Sequence, residues 1–242
     1  MLFRSPVPES ITRSGRRLPR VWYERRMPGA AGPAVAIDVT PLIGPRSGIG
    51  VAVASIMTAL RAHEPDIDPV PYTLSARAGR HPLGVPDGTR AVTLPAGPLT
   101  RVWAHSDRPR IDRRLAPARV VHATNYLAPP SRFPVLVSVW DCSFVRDPQH
   151  CPPAVRALAP VVRRAVARGA TLHCASEFAA AEAEEVFGPG LRAAGRLAVV
   201  PLGVPDIPAG GTLPAAVEAA VGDRKSTRLN SSHVSESRMP SS

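Results

Sequence analysis

Lysine is almost missing from this chain. Lys225 is the only one, and every other basic residue among its 30 is arginine. Aromatic residues are scarce at 5%, so aliphatic side chains and alanine must fill any core. Basic runs interleaved with aromatics, the raw material of a base-stacking surface, do not occur in the body of the chain. Only three cysteines are present, Cys142, Cys151 and Cys174. Their spacing fits neither a metal-binding set nor a disulfide framework, so they read as thiols of a reducing compartment. No apolar run approaches the roughly 20 residues of a membrane span. G-x-G-x-x-G is lacking, and no acidic residue closes the second strand-like run. Gly-Lys-Ser/Thr is lacking too. A dinucleotide fingerprint and a P-loop are both excluded.

What the chain has in excess is positive charge, a net +11. Much of it sits at the ends. Residues 1–26 hold seven Arg against Glu9 and Glu24, and residues 223–242 hold four basic residues against two acidic ones. The stretch between them carries only +4. That suits an anionic small molecule or a lipid surface and does not call for nucleic acid. The tail from Asp223 to Ser242 has seven serines and the only lysine, a composition foreign to the Arg-, Ala- and Pro-rich body. It resembles a translated sequencing adapter, and the expectation is a reading frame cut near Gly222. Residues 1–26 read as an extension ahead of a true start at Met27, or as a basic arm that meets a membrane.

The body alternates strand and helix signals. Strands are expected at Ala34–Asp38, Pro69–Leu74, Ala91–Leu94, Arg119–Ala123, Val135–Trp140, Ala170–Ala175 and Leu197–Leu202. Helices are expected from Gly48 to about His63, at Leu99–His105, from Pro152 to Arg168 with a kink at Pro160, and after Ser176 to about Phe187. This pattern predicts an α/β protein with a doubly wound parallel sheet, Rossmann-like, over residues 27–204. Residues 205–222 read as a linker. Such sheets build sites where their strands end. Those ends offer the turn Thr40–Gly50, then His122–Tyr126, Asp141–Phe144 and Ser176.

The turn "PRSGIG" leads into a helix, and Gly48, Ile49 and Gly50 can present backbone N–H groups to an anion. A tight turn that binds nothing explains it equally well. Arg46 reads as a solvated side chain beside it. His122 can orient a hydroxyl or hydrogen-bond to the backbone. Thr124, Asn125 and Tyr126 offer polar groups suited to a sugar or polyol, or simply turn chemistry. Asp141 can accept from a hydroxyl or cap its own loop. Ser176 is most simply a helix cap. The remaining histidines show no metal-ligand spacing.

The ordered set "IDVTPLIGPRSGIG", "VVHATNYLAPP", "VSVWDCSF", "RRAVARGATLHCASEFAAAE" and "LAVVPLGV" resembles the N-terminal domain of family 4 retaining glycosyltransferases, which have the two-domain GT-B fold. The resemblance covers Ala34 to about Val204. It implies that Gly48, Ile49 and Gly50 lie against a donor diphosphate and that His122 and Asp141 stand near the reacting sugar. It implies that Thr124, Asn125, Tyr126 and Ser176 serve the acceptor. The donor is a nucleotide sugar and the acceptor a sugar, polyol or lipid-linked hydroxyl. Neither a metal nor any other cofactor is expected. The implied location is the cytoplasm, with peripheral contact at the inner membrane face. The family's second domain, which neutralises the diphosphate, has no counterpart here, so this chain alone is expected to be inactive. A nucleotide-sugar epimerase of GT-B shape and a non-enzymatic ligand-binding module are the alternative expectations.

Overall fold

The computed structural model describes residues 32–44, 47–76 and 84–203. They belong to a compact unit that ends at Leu202; of the second unit, Gly203–Ser242, only Gly203 is described. The expected extension at 1–26, the start at Met27, the linker at 205–222 and the tail at 223–242 lie outside the described residues, as does Arg46.

Seven strands form one sheet: β1 Ala34–Asp38, β2 Asp68–Leu74, β3 Arg90–Val92, β4 Val120–Ala123, β5 Val135–Val139, β6 Thr171–Cys174 and β7 Leu197–Val199. Their order across the sheet is β3-β2-β1-β4-β5-β6-β7, and every pairing is parallel. The fold is the expected Rossmann-like, doubly wound α/β architecture. Helix α1, Gly48–His63, returns from β1 to β2 on one face. On the other face lie α2 (Ala96–Trp103), α5 (Leu158–Ala167) and α6 (Glu177–Phe187). Two short turns of helix, α3 (Ser143–Arg146) and α4 (Pro153–Arg156), fill the connection after β5.

Strand alternation decides what each face buries. Ile37 and Val39 point to α1 and pack with Val53 and Met57. Each such burial stabilises the fold by about 1.5–3 kcal/mol. Ala36 points the other way, with Tyr72, Leu99, Trp103 and Val161. Further along the same face, Val137, Val139 and Leu172 meet Val162 of α5 and Ala180 and Phe187 of α6. The alanine-rich seam of α6 lets it lie close to the sheet, which is how a core poor in aromatics closes.

Two prolines sit inside β2, where a ladder donor is normally required. Even-numbered residues of β2 bond toward β1, as in Val39 N–H to Tyr72 O at 2.8 Å. Pro69 and Pro71 therefore face the β3 side, and β3 pairs only from Tyr72 onward. Their missing N–H groups fall where no strand waits for them.

One helix departs from expectation. The run from Pro152 to Arg168 is two helices broken at Ala157, not one helix kinked at Pro160. The ring of Pro160 excludes the carbonyl four residues back, at Arg156, from a helical bond. The chain resolves this by ending α4 there. Pro160 then sits in the first turn of α5, where its missing N–H has no intrahelical partner to lose. Helix α2 begins at Ala96 instead of Leu99, and β7 stops at Val199 instead of Leu202.

Candidate active site

In a parallel sheet all the strand ends lie along one edge. The strand order reverses between β1, whose chain leaves toward β2, and β4 on its other side. Such a switch point opens a crevice. Here it is tied by the Thr124 hydroxyl, which is fully buried and donates to the Asp38 carbonyl at 2.6 Å.

A cavity of about 430 Å³ opens beside this tie, on the α2 and α5 face. Asp38, Thr40, Leu74 and Asn125 form its floor at the strand ends. Ala96, Gly97, Thr100 and Arg101 of α2 form one wall. The segment Pro153–Leu158, around the break between α4 and α5, forms the other. Asp38 is only 2% exposed. Its Oδ1 accepts from the Thr40 N–H at 2.9 Å and the Thr40 hydroxyl at 2.5 Å. Burial outweighs these bonds and pushes its pKa up to about 6. Tyr72, the register partner of Asp38, buries a hydroxyl with no partner among the described residues, and burial and the nearby carboxylate both hold that phenol above its ordinary range.

A different polar cluster crosses the opposite face. His122, Ser138 and His173 lie on β4, β5 and β6 and all point to the α1 side, as the register with Ile37 requires. His122 Nε2 is 2.9 Å from the Ser138 hydroxyl, which is 2.9 Å from His173 Nδ1. His173 Nε2 meets the Val200 carbonyl at 3.3 Å. A carbonyl only accepts, so His173 carries its proton at Nε2. Burial lowers the pKa of His173, so the ring is neutral and Nδ1 is a bare acceptor. Ser138 therefore donates to His173 and accepts from His122 Nε2–H. Burial, with a smaller contribution from His173, pushes His122 down to about 4. His122 is thus held neutral with its lone pair at Nδ1, the form able to accept a hydroxyl proton.

The other expected residues fall at the same sheet edge with mixed local roles. Ser47 caps α1 by accepting from the Gly50 N–H at 3.4 Å. The N–H groups of Gly48 and Ile49, in the first turn, stay outside the helix's own bonding. A Cβ on Gly48 would meet nothing within 4 Å. Asp141 lies two residues beyond the end of β5, and its Oδ1 accepts from the Ser143 N–H at 2.9 Å and the Ser143 hydroxyl at 2.6 Å. That is an Asx turn. Its Oδ2 accepts from the Tyr126 hydroxyl at 3.4 Å. Tyr126 has a φ of 59°, in the left-handed region, held by this bond and by Phe144 at 4.9 Å between ring centroids. Ser176 caps α6 through the Ala179 N–H at 3.1 Å. Of the expected residues, only Asn125 lines the cavity; His122 lies on the other face.

Asp38, Ser138 and His173 carry much of this chemistry, and motif reading passes over them. Their signal is a polar residue inside an otherwise apolar strand, at "AID", "VLVSV" and "TLHC". Among the described residues no cluster of His, Cys, Asp and Glu is arranged to hold a metal ion, and no helix is long and apolar enough to cross a membrane. Burial pushes the Cys142 and Cys174 thiols up to about 12 and 11, leaving both unreactive. No protein-family model matches the chain, and no curated protein matches it either.

Proposed function

We propose that this domain is the acceptor side of a retaining glycosyltransferase that uses a nucleotide sugar. The reading is supported by five ordered motifs, four of which carry polar residues at or just after the end of a strand of the doubly wound sheet. In the reaction the bond from the anomeric carbon to the diphosphate breaks, and an acceptor oxygen bonds to the same face of the sugar. The leaving diphosphate needs positive potential. The N–H groups of Gly48 and Ile49, at the positive end of the α1 dipole, supply some of it. The acceptor hydroxyl needs a partner that is not already protonated. His122, with its lone pair held at Nδ1, fits that task.

Backbone amide shifts of the ¹⁵N-labelled chain, titrated with UDP- and GDP-sugars, test the reading. Saturable shifts at Gly48 and Ile49 are expected. Their absence at millimolar nucleotide sugar removes the phosphate-binding role and leaves the non-enzymatic module as the better account.

A further inference from the structure

Of the residues that the resemblance assigns to sugar transfer, the cavity under α2 takes only Asn125. Its hydrogen-bonding capacity can be counted from the groups that line it. The Thr40 hydroxyl donates to Asp38 and accepts from the Leu74 N–H at 2.8 Å. The Thr100 hydroxyl donates to the Ala96 carbonyl at 2.9 Å. Both hydroxyl protons are therefore committed. Asp38 receives both of its bonds on Oδ1, and Oδ2 takes none among the described residues. What the floor still offers is acceptors: Asp38 Oδ2, the Thr100 lone pairs and the Asn125 carbonyl. Side-chain donors come only from the Asn125 amide and from Arg101, which is exposed, and the first-turn N–H groups of Ala96, Gly97 and Ala154 add backbone donors at the walls. The remaining lining is apolar, with Leu74, Leu127, Val155 and Leu158 among it.

We infer that this cavity is a binding site for a small amphiphile that places a hydroxyl donor on Asp38 Oδ2 and an apolar body against Leu127, Val155 and Leu158. Its volume lies within the roughly 300–1,000 Å³ of small-molecule sites. Asp38 Oδ2 takes no bond among the described residues at the cavity floor, and a ligand hydroxyl can donate to it. The same hydroxyl can accept from the Asn125 amide. The carboxylate disfavours an anionic group placed on Asp38 Oδ2. The site stands on the cavity and its hydrogen-bond inventory, and does not rest on the sugar-transfer reading.

1,2-Hexanediol is the simplest probe, with hexanoate and hexylamine as comparisons. The measurement is amide shifts of the full ¹⁵N-labelled chain at pH 7.5. Saturable shifts at Leu74, Thr100, Asn125 and Leu158 are expected with the diol and not with hexanoate. Asp38→Asn should weaken diol binding about tenfold, the loss of a hydrogen bond to a charged acceptor. Gly97→Trp is the second variant. Gly97 lines the cavity, and a Cβ there meets nothing within 4 Å, so the backbone accepts a side chain that projects its bulk toward the space; an unchanged amide spectrum away from the cavity checks that the variant folds. It should abolish binding. Three results overturn the inference: no saturable shifts with the diol, diol binding that survives Gly97→Trp, or hexylamine binding tighter than the diol, which would make the site a cation reader.

Discussion

Replacing Asp38 by asparagine removes one of two buried groups that push stability in opposite directions as the solution is acidified. Asp38 has a pKa of about 6 in the fold against an ordinary 3.8. At one pH unit per 1.4 kcal/mol, keeping it charged and buried costs about 3 kcal/mol at pH 7. Because the folded value is the higher one, this cost disappears as pH falls through 6, and it is gone below 3.8. His122 behaves the other way, at about 4 in the fold against 6.5. Its neutral form is favoured by folding, so stability is lost as pH falls from 6.5 through 4, again by about 3 kcal/mol. His173, also lowered, adds to the histidine side. The Tyr72 phenol beside Asp38 is held above its ordinary range and stays neutral through this window. In the wild type the Asp38 and His122 contributions nearly cancel between pH 7 and 4, hidden inside one another, and His173 leaves a net loss on acidification. Urea unfolding of wild type and Asp38→Asn at pH 7, 6, 5 and 4 separates them. Whatever the variant loses at the Thr40 bonds is constant with pH. The stability difference, wild type minus variant, should rise by about 2.4 kcal/mol on going to pH 4. A difference that stays constant within about 0.5 kcal/mol would show that Asp38 is ordinary in the fold and refute the buried-carboxylate argument.

Three further outcomes are expected. Ser138→Ala strands the His122 Nε2–H donor and the His173 Nδ1 acceptor, and should lower unfolding free energy by about 3 kcal/mol. Imidazole ¹⁵N shifts should report loss of the fixed His122 tautomer, and an unchanged tautomer would show that the relay does not set it. Tyr72→Phe deletes a buried hydroxyl without a partner and should raise stability by about 1 kcal/mol, read from the urea midpoint; a loss of that size would mean the hydroxyl is bonded. Gly48→Ala should be neutral or gain about 0.5 kcal/mol, since its Cβ meets open space, while weakening nucleotide-sugar binding. Unchanged binding would show that close backbone approach is not what this glycine provides.

The parts of the fold legible in the sequence are those encoded by neighbours along the chain. Helix α1 follows from apolar spacing at Val51, Val53, Ile56, Met57 and Leu60, and its observed bounds match the expected ones, although Val51 is exposed. The start of α6 follows from Ser176, whose hydroxyl makes the capping bond that its residue type suggests. The break at Ala157 is local too, but it depends on which turn receives Pro160, and composition alone does not decide that. The relay is of another kind. His122, Ser138 and His173 are 16 and 35 residues apart and meet only because three strands align in one register. A single serine in "VLVSVW" carries no mark of this. Asp38 is likewise read as the end of a strand, and only the fold reveals that α2 and the α4–α5 break enclose it.

The prolines of β2 bear on how this domain behaves among copies of itself. Because β3 is three residues long, the first half of β2 has no described neighbour on its outer side and is in effect a sheet margin. An open margin is a template on which another chain can add a strand, the first step toward intermolecular aggregation. A template needs alternating donors and acceptors. Pro69 and Pro71 remove two successive donors from the outward-facing row, so an approaching strand finds carbonyls and no N–H groups to alternate with them. The sheet keeps its short final strand without inviting an eighth from a neighbouring molecule.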